Sequence, residues 1–146
     1  MDVSSDETHV VVISHDHKST VICKEIIPIK GTHSFTAKYE HTGVYWDGHI
    51  GVARGQIDLN GQMDQPESWS YYYNGNKRLS GKVSKYGSGY IAGDKISIEI
   101  NREEKWIEFF KNGKSQGKIT HLHIDIGDLY FAVSAYGVGE SWRIVD

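Results

Sequence analysis

The most regular alternation of apolar and polar positions lies between Gly93 and Gly117. Isoleucines occupy every second position from Ile96 to Ile100, which is the period-two pattern of a strand with one buried face. The alternation resumes over Trp106 to Phe110, and Asn112-Gly113 follows, a dipeptide that tolerates the two positive φ angles of a type I′ turn. This stretch predicts three consecutive antiparallel strands joined by tight turns.

Short apolar segments separated by turn residues fill most of the remaining chain. Those of strand length are Val10 to Ile13, Thr20 to Cys23, Phe35 to Tyr39, His49 to Arg54, Ser68 to Tyr73, Arg78 to Val83, Leu129 to Ala135 and Trp142 to Val145. No stretch shows helical periodicity, so we predict an all-β domain, either a sandwich or a barrel.

Four of these segments carry more specific expectations. The first two, on either side of a polar turn, predict an N-terminal hairpin. Leu129 to Ala135 is apolar on both faces, which is typical of a central strand. Gly51 interrupts an apolar strand and predicts that another backbone or a bulky side chain approaches closely at that point.

The length of 146 residues predicts one domain, residues 9–146, preceded by a flexible acidic terminus over residues 1–8. Cys23 is the only cysteine and cannot form an internal disulfide, and neither a signal peptide nor a glycosylation sequon is evident. We therefore expect an intracellular protein of the cytoplasm or the nucleus. The net charge of −3 and the lack of a long apolar run argue against nucleic-acid and membrane partners.

One segment has the opposite charge balance. Between Glu67 and Asp94 the only charged residues are Lys77, Arg78, Lys82 and Lys85. The segment is interpreted as a solvated loop-and-strand face or as an electrostatic docking patch.

The histidines include two His-x-His pairs, His15/His17 and His121/His123. Residues two apart on a strand project to the same face, so each pair could place two imidazoles on one metal ion. A structural zinc site normally has four ligands, and Cys23 alone adds little support. We therefore expect no metal and no other cofactor.

Enzymatic chemistry has weak support. Glu99 and Glu108 lie on adjacent predicted strands, where they could form an exposed pair or the two carboxylates of a jelly-roll glycosidase. The serine-hydrolase and nucleotide-binding motifs are absent from the sequence. We expect a protein that is not an enzyme.

Six short motifs, in order, resemble those of SPRY domains. They are Ile50-Gly51-Val52-Ala53, Ser68-Trp69, Tyr86-Gly87, Gly93-Asp94 with the alternating isoleucines, Phe109-Phe110-Lys111-Asn112-Gly113 with Gly117, and the segment from Leu129 to Ala135. The resemblance covers about residues 34 to 145, without a clear match to the PRY segment that precedes SPRY in the tripartite-motif ligases. It implies a bent sandwich of two antiparallel β-sheets of the concanavalin-like, jelly-roll type. It also implies a non-enzymatic role in protein recognition through loops at one end of the sheets.

The resemblance also implies roles for particular residues. Trp69 would belong to the core. Around Leu129 to Ala135 and the residues after it, the chain resembles the SOCS-box SPRY proteins, in which an aromatic residue before the last strand helps form a peptide pocket. The matching position is Tyr136 or Gly137. That subgroup has a second aromatic residue in the loop after Ile50 to Ala53, where Gly55 to Glu67 offers only Ile57, Leu59 and Met63.

The chain has four tryptophans and nine tyrosines, more than a core of this size is expected to need. Aromatic residues beside turns are therefore candidates for an interface, in which rings bury ligand side chains and turn backbone groups donate or accept hydrogen bonds. The partner-binding residues that we predict are Tyr45, Trp46, Leu59, Tyr72, Tyr73, Tyr86, Tyr136 and Gly137.

The expected partner is a protein or a peptide. One alternative is a lectin-like sandwich that stacks sugars on exposed tyrosine or tryptophan rings. Another is a homo-oligomer formed through Trp106 and Phe110, although a monomer is the simpler expectation.

Overall fold

The computed structural model describes residues 2–5, 10–13, 18–41, 48–136 and 140–145, and the side chains of 20–40, 48–135 and 141–145. These ranges form thirteen strands and contain no helix, hence none long and apolar enough to cross a membrane. The strands are β1 (Asp2–Ser5), β2 (Val10–Ile13), β3 (Lys18–Ile22), β4 (Thr32–His41), β5 (His49–Arg54), β6 (Ser68–Tyr72), β7 (Asn76–Leu79), β8 (Lys82–Lys85), β9 (Lys95–Asn101), β10 (Trp106–Lys111), β11 (Lys114–Ile119), β12 (Leu129–Tyr136) and β13 (Glu140–Val145).

The strands form two antiparallel sheets. The first sheet has the order β1-β2-β13-β4-β9-β10-β11, and the second has the order β3-β12-β5-β6-β7-β8. The sheets pack face to face, with alternate residues of each strand in the space between them. The predicted all-β sandwich is thus confirmed.

The strand pattern between Gly93 and Gly117 is confirmed as β9, β10 and β11. Ile98 pairs with Phe109, and Ile100 pairs with Ile107, so the apolar positions of neighbouring strands share one face. The β10–β11 turn has positive φ at both central residues, 50° at Asn112 and 84° at Gly113, which is the expected type I′ geometry. The Asn112 side chain also accepts a hydrogen bond from the Lys95 N–H at 2.9 Å, which ties the turn to the start of β9.

The core lies between the sheets. Its buried residues include Ile96, Ile98, Ile100, Ile107 and Phe109 of the first sheet and Ile50, Val52, Trp69, Tyr71 and Val133 of the second. Burial of Trp69 agrees with the role that the resemblance implied. β12 lies between β3 and β5, so its predicted central position is also confirmed.

The predicted N-terminal hairpin is wrong. β2 pairs with β1 and β13 in the first sheet, whereas β3 pairs with β12 in the second sheet. The two segments diverge because β12 and β13, from the end of the chain, provide one partner for each.

The segment after β6 is also more divided than predicted. The single return strand expected over Arg78 to Val83 is a hairpin of β7 and β8. Its two-residue turn has φ of 51° at Ser80 and 86° at Gly81. This type I′ turn lacks the Asn-Gly or Asp-Gly dipeptide that usually marks such a turn, so the sequence did not indicate it.

Many of the aromatic residues expected to exceed the needs of the core are in fact buried in it. Buried tyrosines and tryptophans include Tyr39, Tyr71, Tyr90, Trp69 and Trp142. The hydroxyl groups of Tyr71 and Tyr90 did not keep these residues near water, because they donate to backbone carbonyl oxygens inside the protein. The surplus was therefore overestimated, and fewer aromatic residues remain as candidates for an interface.

Candidate functional site

A row of residues crosses the outer face of the second sheet near the ends of its strands. His49, the first residue of β5, pairs with Tyr72 on one side and with Ser134 on the other. Ser134 in turn pairs with Thr20 of β3. Directly paired residues share a face, so these four side chains lie in line across four strands. This end of the sheet is also where β5 begins and where β6 and β12 end.

The segment Gly55 to Glu67 covers much of this outer face. Ile57 and Met63 are buried against Ala53 and Ala132, in a small apolar cluster separate from the main core. The segment is long and polar in sequence, yet these two side chains fasten it to the sheet. Its backbone is therefore placed by packing as well as by its turns.

Hydrogen bonds fix the same segment to β3 and to β6. Next to β3, the Thr20 hydroxyl donates to the Gly61 carbonyl at 2.7 Å, and the Thr20 N–H donates to the Leu59 carbonyl at 2.9 Å. Next to β6, the Ser70 hydroxyl donates to the Met63 carbonyl at 2.9 Å. Of the three apolar residues that might have replaced the missing aromatic one, only Leu59 is exposed, to 47%.

Tyr72 is half-buried at the opposite side of the row. Its ring centroid lies 4.4 Å from that of His49 and 4.7 Å from that of Tyr73. The Arg78 guanidinium stacks over it at 4.5 Å from the centroid, and Asp64 forms an ion pair with Arg78 at 3.6 Å. Tyr72 thus lies beside a cation, and tyrosine and arginine are both enriched at interface hot spots.

Tyr73 and Gly48 connect this row to the chain segment before β5. The Tyr73 N–H donates to the Gly48 carbonyl at 3.0 Å, and the Tyr90 hydroxyl lies 2.8 Å from the same oxygen. A Cβ atom on Gly48 would lie 2.4 Å from the Tyr39 ring. Tyr90 was not predicted as a contributor, because it follows a glycine-rich stretch that resembles a flexible crossing. Its burial shows that this stretch supports the site from below.

Tyr86 lies apart from Tyr72 and Tyr73. It is half-buried between the two sheets, where its ring packs edge-on against Tyr71 and Phe109. Burial raises the pKa of its hydroxyl to about 12, although the hydrogen bond from the Phe109 N–H opposes this shift. These contacts give Tyr86 a structural role, and its proposed contact with a partner stays a prediction.

The remaining predicted site residues are Tyr45, Trp46, Tyr136 and Gly137. Tyr45 and Trp46, before β5, and Gly137, after β12, lie outside the described residues. Tyr136 is the last residue of β12, where its backbone pairs with Lys18. The structure therefore brings Tyr72 and Tyr73 together, places Leu59 on the β3 side and leaves these four as predictions.

The residues considered for catalysis and metal binding lie in ordinary structural surroundings. Glu99 and Glu108 are direct neighbours across β9 and β10, and Glu108 accepts a hydrogen bond from the Ser115 hydroxyl at 2.6 Å. His121 and His123 are exposed, and the side chains described here contain no cluster of three or more potential metal ligands. His15 and His17 lie outside the described residues. Burial raises the pKa of Cys23 to about 11, which keeps its thiol protonated at neutral pH.

The comparison with protein families gives one decisive match. The model of the SPRY domain matches residues 31–145, which is most of the chain. The chain belongs to the SPRY family.

Solved SPRY structures share the fold over nearly the full length. A crystal structure of a human SPRY domain has a TM-score of 0.81 at 20% identity, covering 98% of this chain and 94% of that one. The SPRY domain of human HERC1 has a TM-score of 0.81 at 19% identity, with coverage of 99% and 92%. A comparison with curated proteins found no match.

SPRY domains are generally protein-interaction modules and are typically non-catalytic. Membership therefore supplies the general role of this chain. The position of the binding surface depends on the residues of the particular domain.

Proposed function

We propose that this SPRY domain binds a peptide segment of a partner protein on the outer face of its second sheet. The surface consists of Tyr72, Tyr73 and Leu59, together with the connections that carry Tyr45, Trp46, Tyr136 and Gly137. The observation that supports it most is Tyr72, a half-buried ring placed between His49 and the Arg78 guanidinium at the end of the sheet.

The physical basis is a surface that the rest of the domain holds in place. Gly48 is held by Tyr73 and Tyr90, and the segment Gly55 to Glu67 is held by buried Ile57 and Met63. A ligand that meets such a surface loses less free energy to ordering than one that must organise loops. A ligand side chain could then pack on Tyr72 while Leu59 adds apolar contact area.

The proposal is tested by selecting a displayed peptide library on the immobilised domain and measuring affinities of the selected peptides. Tyr72→Ala and Leu59→Ala are expected to weaken binding by about tenfold or more each, as for interface hot spots. Two matched controls exist. Tyr130→Ala removes a half-buried tyrosine of β12, and Ile91→Ala removes an apolar side chain that is 65% exposed outside this surface.

Selected peptides that bind all four variants as tightly as the parent domain would place their site elsewhere and contradict the proposal. The same peptides then serve to test Trp46→Ala and Tyr136→Ala. We expect both to weaken binding if their connections border the surface.

A further inference from the structure

The β7–β8 hairpin forms an edge of the second sheet that carries unbalanced positive charge. Of its four basic residues, Arg78 has a carboxylate partner in Asp64. For Lys77, Lys82 and Lys85, no carboxylate lies within ion-pair distance in the part of the chain that the structure describes. These three lysines thus form a local positive region on a chain whose net charge is −3.

The outer strand of this hairpin is exposed along its whole length. All four residues of β8 are exposed, and Val83 is 52% exposed. A β-branched apolar residue between two lysines is suited to pair with another strand. The edge therefore combines charge with an accessible apolar position.

The hairpin geometry shows which backbone groups of β8 point outward. In a two-residue type I′ hairpin, the residues that flank the turn form a hydrogen-bonded pair, here Leu79 and Lys82. Hydrogen-bonded and non-hydrogen-bonded pairs alternate in an antiparallel ladder. Val83 and Lys85 are therefore the residues whose N–H and C=O groups point away from β7. These groups have no hydrogen bond to any residue that the structure describes.

Two other sheet edges are covered. The N–H of Thr20 in β3 donates to the Leu59 carbonyl. In β11, the Gly117 N–H donates to the Ser115 hydroxyl at 3.1 Å, and its carbonyl accepts from the Tyr86 hydroxyl at 2.5 Å. By comparison with these two edges, β8 is open.

Lysine on an edge strand ordinarily prevents pairing between copies of the same protein. Two β8 strands side by side would bring Lys82 and Lys85 of both copies together, which is unfavourable. The same charges attract a strand of opposite sign. Charge complementarity therefore selects an acidic partner over a second copy of this chain.

We propose that β8 binds an extended acidic segment of a partner protein, which adds to the second sheet as a further antiparallel strand. Backbone hydrogen bonds to Val83 and Lys85 supply the pairing, and the lysines supply selectivity. This surface adjoins the one around Tyr72, because Arg78 stacks on Tyr72 and pairs with Val83, but neither proposal depends on the other.

The register predicts the pattern of the bound segment. An antiparallel strand would place acidic residues opposite Lys85 and Lys82, with an apolar residue opposite Val83 and a freely variable residue opposite Ser84. In the direction of the added strand, this pattern is acidic, variable, apolar, acidic. A suitable probe is a fluorescent peptide with the sequence Glu-Thr-Val-Glu between Gly-Ser flanks.

The first test is fluorescence anisotropy with this peptide and with a Gln-Thr-Val-Gln control. We expect the domain to bind the acidic peptide, with an affinity that falls as salt is added, and to bind the control at least about tenfold more weakly. The double variant K82E/K85E should lose about tenfold or more in affinity. The double variant K24E/K30E reverses two exposed lysines outside the hairpin and should bind as the parent does.

The second test separates strand addition from charge attraction alone. Val83→Pro removes one outward N–H without removing a ladder hydrogen bond, and proline is tolerated on edge strands. We expect it to abolish most of the binding. A peptide N-methylated at its valine, which faces the Val83 backbone, should also fail to bind the unaltered domain. That result does not depend on whether the proline variant folds.

Equal losses of affinity in K82E/K85E and in K24E/K30E would show a general effect of net charge and overturn the proposal. Full binding of the N-methylated peptide, no binding of the acidic peptide, or dimers of the free domain in light scattering would also overturn it. The acidic peptide should not compete with peptides selected for the site around Tyr72, so failure here is distinguishable from failure of that site.

Discussion

The hydroxyl group of Tyr86 accepts a hydrogen bond from the Phe109 N–H at 3.1 Å, so a side chain that follows β8 reaches the backbone of β10. The same hydroxyl donates to the Gly117 carbonyl of β11 at 2.5 Å. Because β8 and β10 belong to different sheets, Tyr86 joins the two sheets at this edge.

We expect Tyr86→Phe to lower the free energy of unfolding by about 1–2 kcal/mol, mainly because the partly buried Phe109 N–H loses its partner. Urea denaturation measures this difference. Tyr130→Phe is the matched control, since the Tyr130 hydroxyl has no hydrogen bond to a described residue. Equal stability of the parent and Tyr86→Phe would show that the hydroxyl contributes nothing to joining the sheets.

Two buried hydroxyls make stability depend on pH in the alkaline range. Burial is the main cause that raises the pKa values of Tyr71 and Tyr86 from 10.0 to about 12. Since the folded state favours the neutral form, the contribution of these groups is fully present below pH 10. It is lost as the pH rises from 10 toward 12. The urea concentration at the denaturation midpoint should fall less steeply with rising pH for Tyr86→Phe than for the parent. Identical slopes would contradict the assignment of part of this pH dependence to Tyr86.

The three strands between Gly93 and Gly117 could be predicted because their pattern is local. Each isoleucine is two residues from the next, and the Asn112-Gly113 turn fixes how β10 and β11 meet. The motifs of the SPRY family then placed these strands in a known fold. Local pattern and family resemblance together accounted for the sandwich.

The placement of β2 and β3 could not be predicted from local pattern. Both read as short apolar strands, and hairpin pairing is the usual arrangement for such neighbours. Their partners, β13 and β12, lie more than a hundred residues later in the chain. Nothing in a short apolar segment specifies a partner at that distance.

The candidate site shows a similar limit. Tyr72 could be chosen because it follows an apolar strand and precedes a turn. Tyr90 could not, because a tyrosine among glycines gives no sign that its hydroxyl meets buried carbonyl oxygens. Residue type suggested which side chains suit an interface, whereas burial decided which of them reach the surface.

Gly51 should not tolerate a side chain. A Cβ atom at this position would lie 2.0 Å from the Trp69 carbonyl oxygen, so β5 and β6 would have to separate. We expect Gly51→Ala to lower the free energy of unfolding by about 3 kcal/mol or more. Gly55→Ala is the control, because its Cβ would lie 3.3 Å from the Tyr130 ring and meet no backbone. Similar stability of the two variants in urea would contradict this explanation.

The Arg102 side chain is 1% exposed, although it lies in the polar turn between β9 and β10. Its guanidinium donates to four backbone carbonyl oxygens, those of Ile27 at 2.8 Å, Ile124 at 2.7 Å, Ile126 at 3.1 Å and Gly127 at 2.5 Å. Arg102→Met would leave the carbonyls of Ile27, Ile124 and Gly127 without this donor, so we expect a loss of about 3–4 kcal/mol in unfolding free energy.

Arg54 provides the comparison for Arg102. It also donates to the Ile126 carbonyl, at 2.7 Å, but these hydrogen bonds are exposed to solvent. Arg54→Met should therefore cost only about 1 kcal/mol. Calorimetry or urea denaturation of both variants distinguishes the two, and equal losses would mean that burial of Arg102 is not the cause.

Tyr90 should act on the proposed peptide site without touching the ligand. Its hydroxyl lies 2.8 Å from the Gly48 carbonyl and 3.0 Å from the Tyr71 carbonyl, beneath the start of β5. We expect Tyr90→Phe to lower stability by about 1 kcal/mol and to speed hydrogen exchange of the His49 amide, since Gly48 loses one of its two restraints. Affinity for peptides selected on the parent domain should fall with it, while Tyr130→Phe changes neither quantity. Faster exchange with unchanged affinity would show that the ligand does not depend on the position of Gly48, because the restraint would then be lost without effect at the site.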